Sequence, residues 1–274
     1  MSTAIENVVA RKVFNSRGDE TIEVDVFTAI SFGRVAAPAG ASKGKNEVVY
    51  YPKGGVKEAI RKVEEAITPK LIGMNADKQE EIDKLLHEID KTEDFRNIGG
   101  NTAYAISLAT AEAAANSYGV PIFQYIGGYV ANKLPYPLGN VISGGAHTSG
   151  KTPEIQEFLS IPLGAKSFSD AAKANIMVHK KANILLRKAD ASFVSGHSDE
   201  GAWIANITNE KAFEIMDKAR EETSAELGFE CRIGIDFAAS TLWDSKKKCY
   251  AYSHSHDKKS QEEQLEFVLE LINK

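Results

Sequence analysis

Residues 14–26, FNSRGDETIEVDV, establish the architecture with which this chain begins. Apolar and polar residues alternate from 21 to 26, which is the period of a strand with one buried face. The SRGD tract at 16–19 predicts a turn, so we expect a partner strand at about 4–14. A third strand at about 33–38 would complete a three-stranded antiparallel sheet.

The sequence that follows this sheet has the pattern of helices. Apolar residues recur at helical spacing between 56 and 67, and Asp77 followed by Glu80 predicts a capping box at the start of a second helix. From 102 to 118 the chain is rich in alanine and apolar nearly all round, which is typical of a helix buried between layers. Residues 1–130 are therefore predicted to form an α+β domain, with the three-stranded antiparallel sheet followed by helices.

A different pattern begins after the tract GGYVANKLPYP at 127–137, which is predicted to join two domains. Apolar runs predict strands at 138–142, 155–161 and 231–237, and amphipathic stretches predict helices at about 167–188, 209–227 and 259–272. Asn209 is expected to cap the second of these helices. The alternation predicts that residues 135–274 form the first part of an α/β TIM-like barrel, since a complete (β/α)8 barrel takes about 250 residues.

Composition and charge exclude several classes of protein. The net charge is −5 and the tract KKK at 246–248 is too short for a basic patch, so no nucleic-acid partner is expected. The opening tract MSTAIENVVARKVF has no long apolar core behind a basic head, so no signal peptide is expected, and without a run of about 18 apolar residues no membrane partner is expected either. Two cysteines, Cys231 and Cys249, lack metal-binding spacing. They predict a reduced, cytoplasmic setting, with a disulfide between them as the alternative.

Five tracts contain residue types that suit chemistry, and each also has an ordinary interpretation. They are PAGASKG at 38–44, GGAH at 144–147, QEF at 156–158, SDEGAW at 198–203 and IGIDFAAS at 233–240. The first combines small residues, which let the backbone approach a ligand, with hydroxyl and amide groups that suit phosphate or a hard cation. Taken alone, this tract is more often a plain surface loop.

Four of the tracts contain a histidine or a carboxylic acid. His147 is either a positioned acid–base group or a polar loop histidine. Glu157 lies in an apolar run, where a carboxylate is costly unless it has a partner, which favours a functional role as much as an ordinary one. Asp199 and Glu200 are either an acid pair at a strand end or part of a turn. Asp236 has the pattern of a carboxylate at the carboxyl end of a buried barrel strand, where catalytic and metal-binding residues of barrels lie.

The remaining histidines are predicted to be structural. His254 and His256 have no third ligand nearby in the sequence, so a metal site there is not expected. His87, His179 and His197 are interpreted as ordinary polar residues of helices or loops.

Taken together and in this order, the five tracts resemble the enolase family in an archaeal-type form. FNSRGDETIEVDV is similar to the family's amino-terminal signature, and IGGNTAYAISLATAEAAANSYGVPIFQYIGG at 98–128 to its buried helix and the tract after it. The resemblance implies reversible dehydration of 2-phospho-D-glycerate to phosphoenolpyruvate in glycolysis and gluconeogenesis. It also implies Mg²⁺ as the cofactor, a small phosphorylated three-carbon acid as the substrate, and a homodimer or larger assembly in the complete form.

The resemblance also assigns acid–base roles. Glu200 matches the general acid that helps hydroxide to leave, and a neighbouring carboxylate such as Glu157 is expected to raise its pKa. Gln156 and Glu157 match the polar pair on the substrate side, and His147 matches the loop histidine that closes over the substrate. The chain departs from the family pattern at 201–203, where Gly-Ala-Trp replaces Gly-Gly-Phe.

Two residues match the family's metal ligands. Asp236 matches the first carboxylate ligand of the high-affinity Mg²⁺, and Ser42 matches the mobile-loop serine that binds the second, substrate-dependent Mg²⁺. The family's other carboxylate ligands, its catalytic lysine and its Arg-Ser clamp belong to tracts beyond residue 274. We therefore expect an amino-terminal portion of an enolase that lacks the carboxy-terminal half of the barrel, is inactive alone and is completed by a carboxy-terminal chain. The alternative is a non-catalytic, enolase-like binding or interaction protein.

Overall fold

The computed structural model describes residues 2–40, 42–148, 150–252 and 254–273. The chain forms two compact units, one made of Met1–Gly40 and Asn46–Lys133, the other of Ala41–Lys45 and Leu134–Lys274. Each unit has its own cluster of buried apolar side chains.

The first unit begins with a sheet of three strands, β1 (Ile5–Phe14), β2 (Glu20–Thr28) and β3 (Phe32–Ala36). The strands pair in sequence order, and both pairings are antiparallel. Ile22 and Val24 on the central strand are fully buried, as the alternation predicts. The predicted three-stranded antiparallel sheet is confirmed.

Helices complete the first unit. They are α1 (Gly55–Lys62), a π-helical turn (Val63–Ile67), α2 (Thr68–Leu71), α3 (Gln79–Asp90), α4 (Gly100–Tyr118) and α5 (Ile122–Gly127). The long helix α4 packs on β2 and β3 and is buried along most of its length, as predicted. A Cβ on Gly33 of β3 would lie only 2.1 Å from the Ala109 carbonyl oxygen. Glycine at this position therefore allows the close packing of strand and helix.

The predicted capping box of α3 is wrong. The residue that precedes the helix is Lys78, which makes no side-chain cap. Asp77 instead accepts hydrogen bonds from the Thr3 and Tyr118 hydroxyls. Partners distant in sequence thus outcompete the local capping geometry, which a sequence pattern cannot foresee.

The second unit contains a sheet formed by β4 (Gly139–Ser143), β5 (Glu157–Ile161) and β6 (Arg232–Asp236). The strands lie in that order, and β5 runs antiparallel to both neighbours. A regular TIM barrel has parallel strands throughout, so the direction of β5 differs from the simple expectation. Within the described residues these strands do not close into a barrel.

Two long helices, α6 (Phe168–Ala189) and α7 (Asn209–Leu227), pack against each other and against this sheet. The shorter elements that follow are α8 (Ala239–Leu242), β7 (Trp243–Asp244), β8 (Cys249–Ala251), β9 (Lys258–Lys259) and α9 (Gln261–Ile272). Thr208, not Asn209, caps α7 by accepting the Lys211 N–H. The prediction for Asn209 is wrong because its side chain bonds elsewhere, as described below.

Two further observations bear on the predictions from composition. Cys231 and Cys249 are both free thiols, so the disulfide alternative is excluded. In the part of the chain that the structure describes, no helix has the length and apolar character needed to cross a bilayer.

Candidate active site

The candidate site lies at one edge of the second sheet. Ser143, the last residue of β4, pairs with Glu157, the first residue of β5, and Glu157 pairs in turn with Asp236, the last residue of β6. Because β5 runs in the opposite direction, its beginning meets the ends of its two neighbours. Side chains from all three strands and from their loops can therefore converge at this edge.

The loop between β4 and β5 positions His147. The Gly144 N–H donates to the Gln156 carbonyl oxygen, and the Gly145 N–H donates to that of Pro153, each at 2.9 Å. A Cβ on Gly144 would lie 2.1 Å from the Pro153 carbonyl oxygen, so this close approach requires glycine. A short 3-10 turn follows and ends at His147, whose imidazole reaches Glu157.

A turn beside β4 carries Glu200. Trp203 forms a parallel bridge with Ile142, donating its N–H to the Val141 carbonyl at 2.9 Å and accepting the Ser143 N–H at 3.0 Å. This bridge fixes the end of the turn three residues after Glu200. Of the two alternatives for Glu200, a strand end or a turn, the structure shows a turn. Its carboxylate nevertheless faces the sheet edge, toward His147.

These elements bring His147, Glu157 and Glu200 together. The His147 side chain is only 2% exposed, and its Nε2 lies 3.2 Å from Glu157 Oε1 and 3.9 Å from Glu200 Oε2. Its other nitrogen, Nδ1, lies 3.4 Å from Asp199 Oδ1. One donor atom from each of the first three residues lies within 4.8 Å of the others. A single imidazole is thus held among three carboxylates.

The pKa of Glu157 is raised to about 7. The largest cause is burial, followed by a hydrogen bond with Glu200 and the charges of Glu200 and Asp236, while His147 opposes the shift. From the sequence, Glu157 was expected to raise the pKa of Glu200; in the structure the carboxyl whose pKa is raised is that of Glu157, the more buried of the two. The pair of carboxyl groups can therefore hold a proton near neutral pH.

The structure also places the other predicted site residues. Gln156 is buried, and its Oε1 finds no hydrogen-bond partner among the described residues. Asp236 is exposed and accepts the Ala238 N–H at 2.9 Å. Ser42 is half-buried in the segment that follows β3 and belongs to the second unit. The roles of these three residues remain predictions.

One contact at the site was missed. Asn140 of β4 donates from Nδ2 to Glu200 Oε2 at 3.2 Å. A polar residue inside an otherwise apolar strand was the available signal, because burying an amide calls for a partner. Asp199, considered only as the neighbour of Glu200, lies against His147 instead.

The donor groups at the edge fit Mg²⁺ only in part. Mg²⁺ favours six oxygen ligands in octahedral geometry. The exposed Asp236 carboxylate is such a donor, whereas the group around His147 combines an imidazole nitrogen with a carboxyl group whose pKa is raised to about 7. The chemistry therefore suits Mg²⁺ beside Asp236, and it suits proton transfer at His147, Glu157 and Glu200.

The fold and the site together define a protein with an α+β unit, a second unit of sheet and helices, and a cluster of one histidine and two glutamates at a sheet edge. Two family models match the chain, "Enolase, N-terminal domain" over residues 5–126 and "Enolase, C-terminal TIM barrel domain" over residues 131–273. The chain belongs to the enolase family. The resemblance and the partial-barrel fold class predicted from the sequence are confirmed.

Relatives named enolase occur in archaea. The enolase of Methanothermobacter thermautotrophicus is 48% identical over 99% of this chain and 65% of its own length. The enolase of Methanosphaera stadtmanae is 45% identical over 100% of this chain and 66% of its own length. The enolase of Pyrobaculum aerophilum is 43% identical over 98% of this chain and 65% of its own length. The chain thus spans somewhat less than two thirds of the length of these curated relatives.

Proposed function

We propose that this chain carries the acid–base part of an enolase site, which dehydrates 2-phospho-D-glycerate reversibly to phosphoenolpyruvate. The observation that carries the proposal is the contact between the Glu157 and Glu200 carboxyl groups beside the buried His147, with the pKa of Glu157 at about 7. Membership of the enolase family supports it.

Dehydration requires a proton for the departing hydroxide. A carboxylic acid that keeps its proton near neutral pH can supply one, since catalysis is most efficient when the pKa lies near the working pH. We assign the donor role to Glu200, which is 40% exposed and can meet a substrate, and the role of proton-sharing partner to Glu157. His147 is oriented by Glu157 at one nitrogen and Asp199 at the other, and we assign it a place beside the substrate.

Asp236 and Ser42 are the residues that would hold Mg²⁺, with the remaining ligands supplied by water, substrate or carboxylates outside this sequence. Bound Mg²⁺ would stabilise negative charge that develops on the substrate carboxylate. We propose that turnover needs the remaining third of the relatives' length, supplied by the same polypeptide or by a complementing chain. We also propose that the complete form is a homodimer or larger. The non-catalytic alternative is not favoured, because it gives no reason for the acid–base group.

The test measures phosphoenolpyruvate formation by its ultraviolet absorbance, with Mg²⁺ present. The chain is assayed alone and mixed with the carboxy-terminal third of the Methanothermobacter thermautotrophicus enolase. We expect turnover only in the mixture, and a loss of roughly a hundredfold or more with Glu200→Gln. Glu222→Gln, the same change at an exposed position of α7, is the matched control. Full turnover by Glu200→Gln would disprove the assigned role, and an inactive mixture that copurifies as a complex would disprove the proposed function.

A further inference from the structure

A reciprocal contact joins α6 to the turn that carries Glu200. The His179 carbonyl oxygen on α6 accepts the indole N–H of Trp203 at 2.8 Å. The His179 imidazole lies 3.0 Å, at Nε2, from the Gly201 carbonyl oxygen. Because a carbonyl oxygen can only accept, Nε2 carries the proton and donates it. The two rings also stack, with centroids 4.3 Å apart and planes 25° from parallel.

This contact holds the backbone next to Glu200. Gly201 follows Glu200 directly and has a φ of 82°, in the left-handed region that favours glycine. The Gly201 N–H bonds to the Ser198 carbonyl and the Ser198 N–H to the Ala202 carbonyl, which closes the turn internally. The Gly201 carbonyl points out of this turn and is the atom by which α6 holds it.

The position of the Glu200 carboxylate depends strongly on that backbone. Its side chain is 40% exposed, so packing alone does not fix it, although Asn140 donates to it. The backbone that Trp203 anchors to β4 fixes the end of the turn, and His179 holds the Gly201 carbonyl two residues before it, directly after Glu200. A displacement of about 1 Å at a catalytic group can cost a hundredfold in rate.

We propose that His179 and Trp203 are positioning residues, which hold the Gly201 carbonyl and thereby set the Glu200 carboxyl against Glu157 and His147. The inference rests on the proposed function for its effect on rate. A phenylalanine at position 203 could stack on His179 but could not donate to its carbonyl oxygen. The indole N–H therefore gives this chain a second link between α6 and the turn.

The protonation state of His179 agrees with this arrangement. Burial lowers the pKa of His179, the charge of His197 lowers it further, and the bond to the Gly201 carbonyl opposes both. The neutral imidazole has one N–H, and the carbonyl determines that Nε2 carries it. Phe193 packs edge-on against the Trp203 ring, with ring centroids 6.0 Å apart.

The first test does not depend on activity. ¹⁵N relaxation on the full chain measures backbone order at Glu200 and Gly201 in the wild type, His179→Gln and His179→Phe. Glutamine keeps an N–H donor, whereas phenylalanine keeps the stacking ring alone. We expect order parameters of about 0.85 in the wild type and values falling toward 0.6 only with His179→Phe. Unchanged order in His179→Phe would overturn the proposal.

The second test measures rate in the mixture with the carboxy-terminal third. We expect His179→Phe to lower kcat about tenfold with KM changed less than about threefold, because positioning rather than binding is lost. His179→Gln should restore most of the rate, and Trp203→Phe should lower it by a smaller factor. His256→Gln, at an exposed histidine, is the control. Equal rates for His179→Phe and His179→Gln would overturn the proposal.

The two tests separate failure of this inference from failure of the proposed function. If the mixture has no turnover, the relaxation measurement still shows whether His179 holds the turn. Should His179→Phe not fold, as judged by its thermal transition, the milder Trp203→Phe replaces it in both measurements. Trp203→Phe with wild-type order and wild-type kcat would then count against the proposal.

Discussion

Glu157 is a carboxylic acid whose surroundings favour the protonated form. It begins a strand in a mostly apolar segment, and its partners at the sheet edge are other carboxylates. From sequence, the apolar run indicated that a charge there needed a partner, and family resemblance named Glu200. Which of the two groups would hold the proton could not be predicted, because it depends on the relative burial of a strand end and a turn that are distant in sequence.

We expect the Glu157 carboxyl to titrate with a midpoint near 7, measured by ¹³C NMR of its side-chain carbon. Glu200→Gln should move that midpoint toward 4.5, because it removes a neighbouring charge. A midpoint that stays near 7 in this variant would mean that burial alone causes the shift. Glu222→Gln should leave the midpoint unchanged.

The same group makes stability depend on pH. Its pKa is about 7 in the folded state against an ordinary value of 4.5, so the folded state binds more protons between these values. The free energy of unfolding should therefore fall as pH rises from 4.5 to 7, by on the order of 2 kcal/mol. Glu157→Gln should flatten this part of the profile in urea titrations. An equally steep profile in the variant would assign the effect to another group.

In the first unit, Asp25 makes stability depend on pH in the opposite direction, because its pKa is lowered rather than raised. It is almost fully buried between Arg11 and Arg34, and the hydrogen bond from Arg34, with that from Arg11, lowers its pKa. Its contribution to stability is present above the unfolded pKa of 3.8 and is lost as pH falls below it. Asp25→Asn should destabilise the chain by about 1–3 kcal/mol at pH 7 and by much less at low pH.

Urea unfolding at both pH values measures this difference. Asp19→Asn, an exposed aspartate of the same unit, is the control and should change stability little at either pH. A loss for Asp25→Asn that is equal at neutral and low pH would show that shape, not charge, makes Asp25 important.

At the scale of elements, periodicity located the strands well and their ends less well. Alternation over 21–26 predicted β2, and the apolar runs predicted the strands of the second sheet to within a few residues. Side-chain caps were predicted poorly, since Asp77 and Asn209 both bond to partners outside their helices. Local patterns determine where an element forms, whereas tertiary contacts determine how a polar residue at its end is used.

Asn209 links α7 to the loop that precedes β5. It is buried, and its Oδ1 accepts the N–H groups of Glu154 and Ile155 at 3.0 and 3.2 Å. Its Nδ2 donates to Glu154 Oε2 at 3.0 Å. The other oxygen of the Glu154 carboxylate accepts the His254 N–H. Through Asn209 and Glu154, the start of α7, the loop before β5 and the segment at His254 are therefore joined by hydrogen bonds.

We expect Asn209→Ala to destabilise the second unit by about 2–4 kcal/mol, because two buried N–H groups and a carboxylate lose a partner. Thr208→Ala removes the helix cap and should cost only about 1 kcal/mol. Urea unfolding of the two variants compares these losses directly. A larger loss for Thr208→Ala would mean that the helix cap stabilises this unit more than the hydrogen bonds of Asn209 do.

At the scale of the whole molecule, the sequence predicted the family and the partial barrel but not the reversed direction of β5. Hydrophobic periodicity is the same for a strand that runs either way, so direction has to come from the connections and the packing. The identity of the site residues came from family resemblance. Their convergence came from the strand direction that periodicity could not supply.

We expect Mg²⁺ to bind this chain weakly by itself, since Asp236 offers one carboxylate toward a six-oxygen shell. Calorimetric titration with and without the carboxy-terminal third of the Methanothermobacter thermautotrophicus enolase measures the difference. Affinity should rise roughly tenfold or more in the mixture and should fall with Asp236→Ala, but not with Glu222→Gln. Tight Mg²⁺ binding to the chain alone, with an affinity that Asp236→Ala does not change, would mean that the metal binds at another site.

The reversed strand β5 also affects the order in which the site can assemble during folding. A parallel neighbour would need a crossover of a dozen or more residues with a helix, whereas an antiparallel one follows a local loop. His147 and Glu157 are therefore only 10 residues apart in the chain, within a single hairpin. Short loops close quickly, and contacts of low sequence separation form early. The imidazole and its carboxyl partner can thus meet before α6, α7 and β6 dock, which leaves Glu200 and Asp236 to join a pair that already exists.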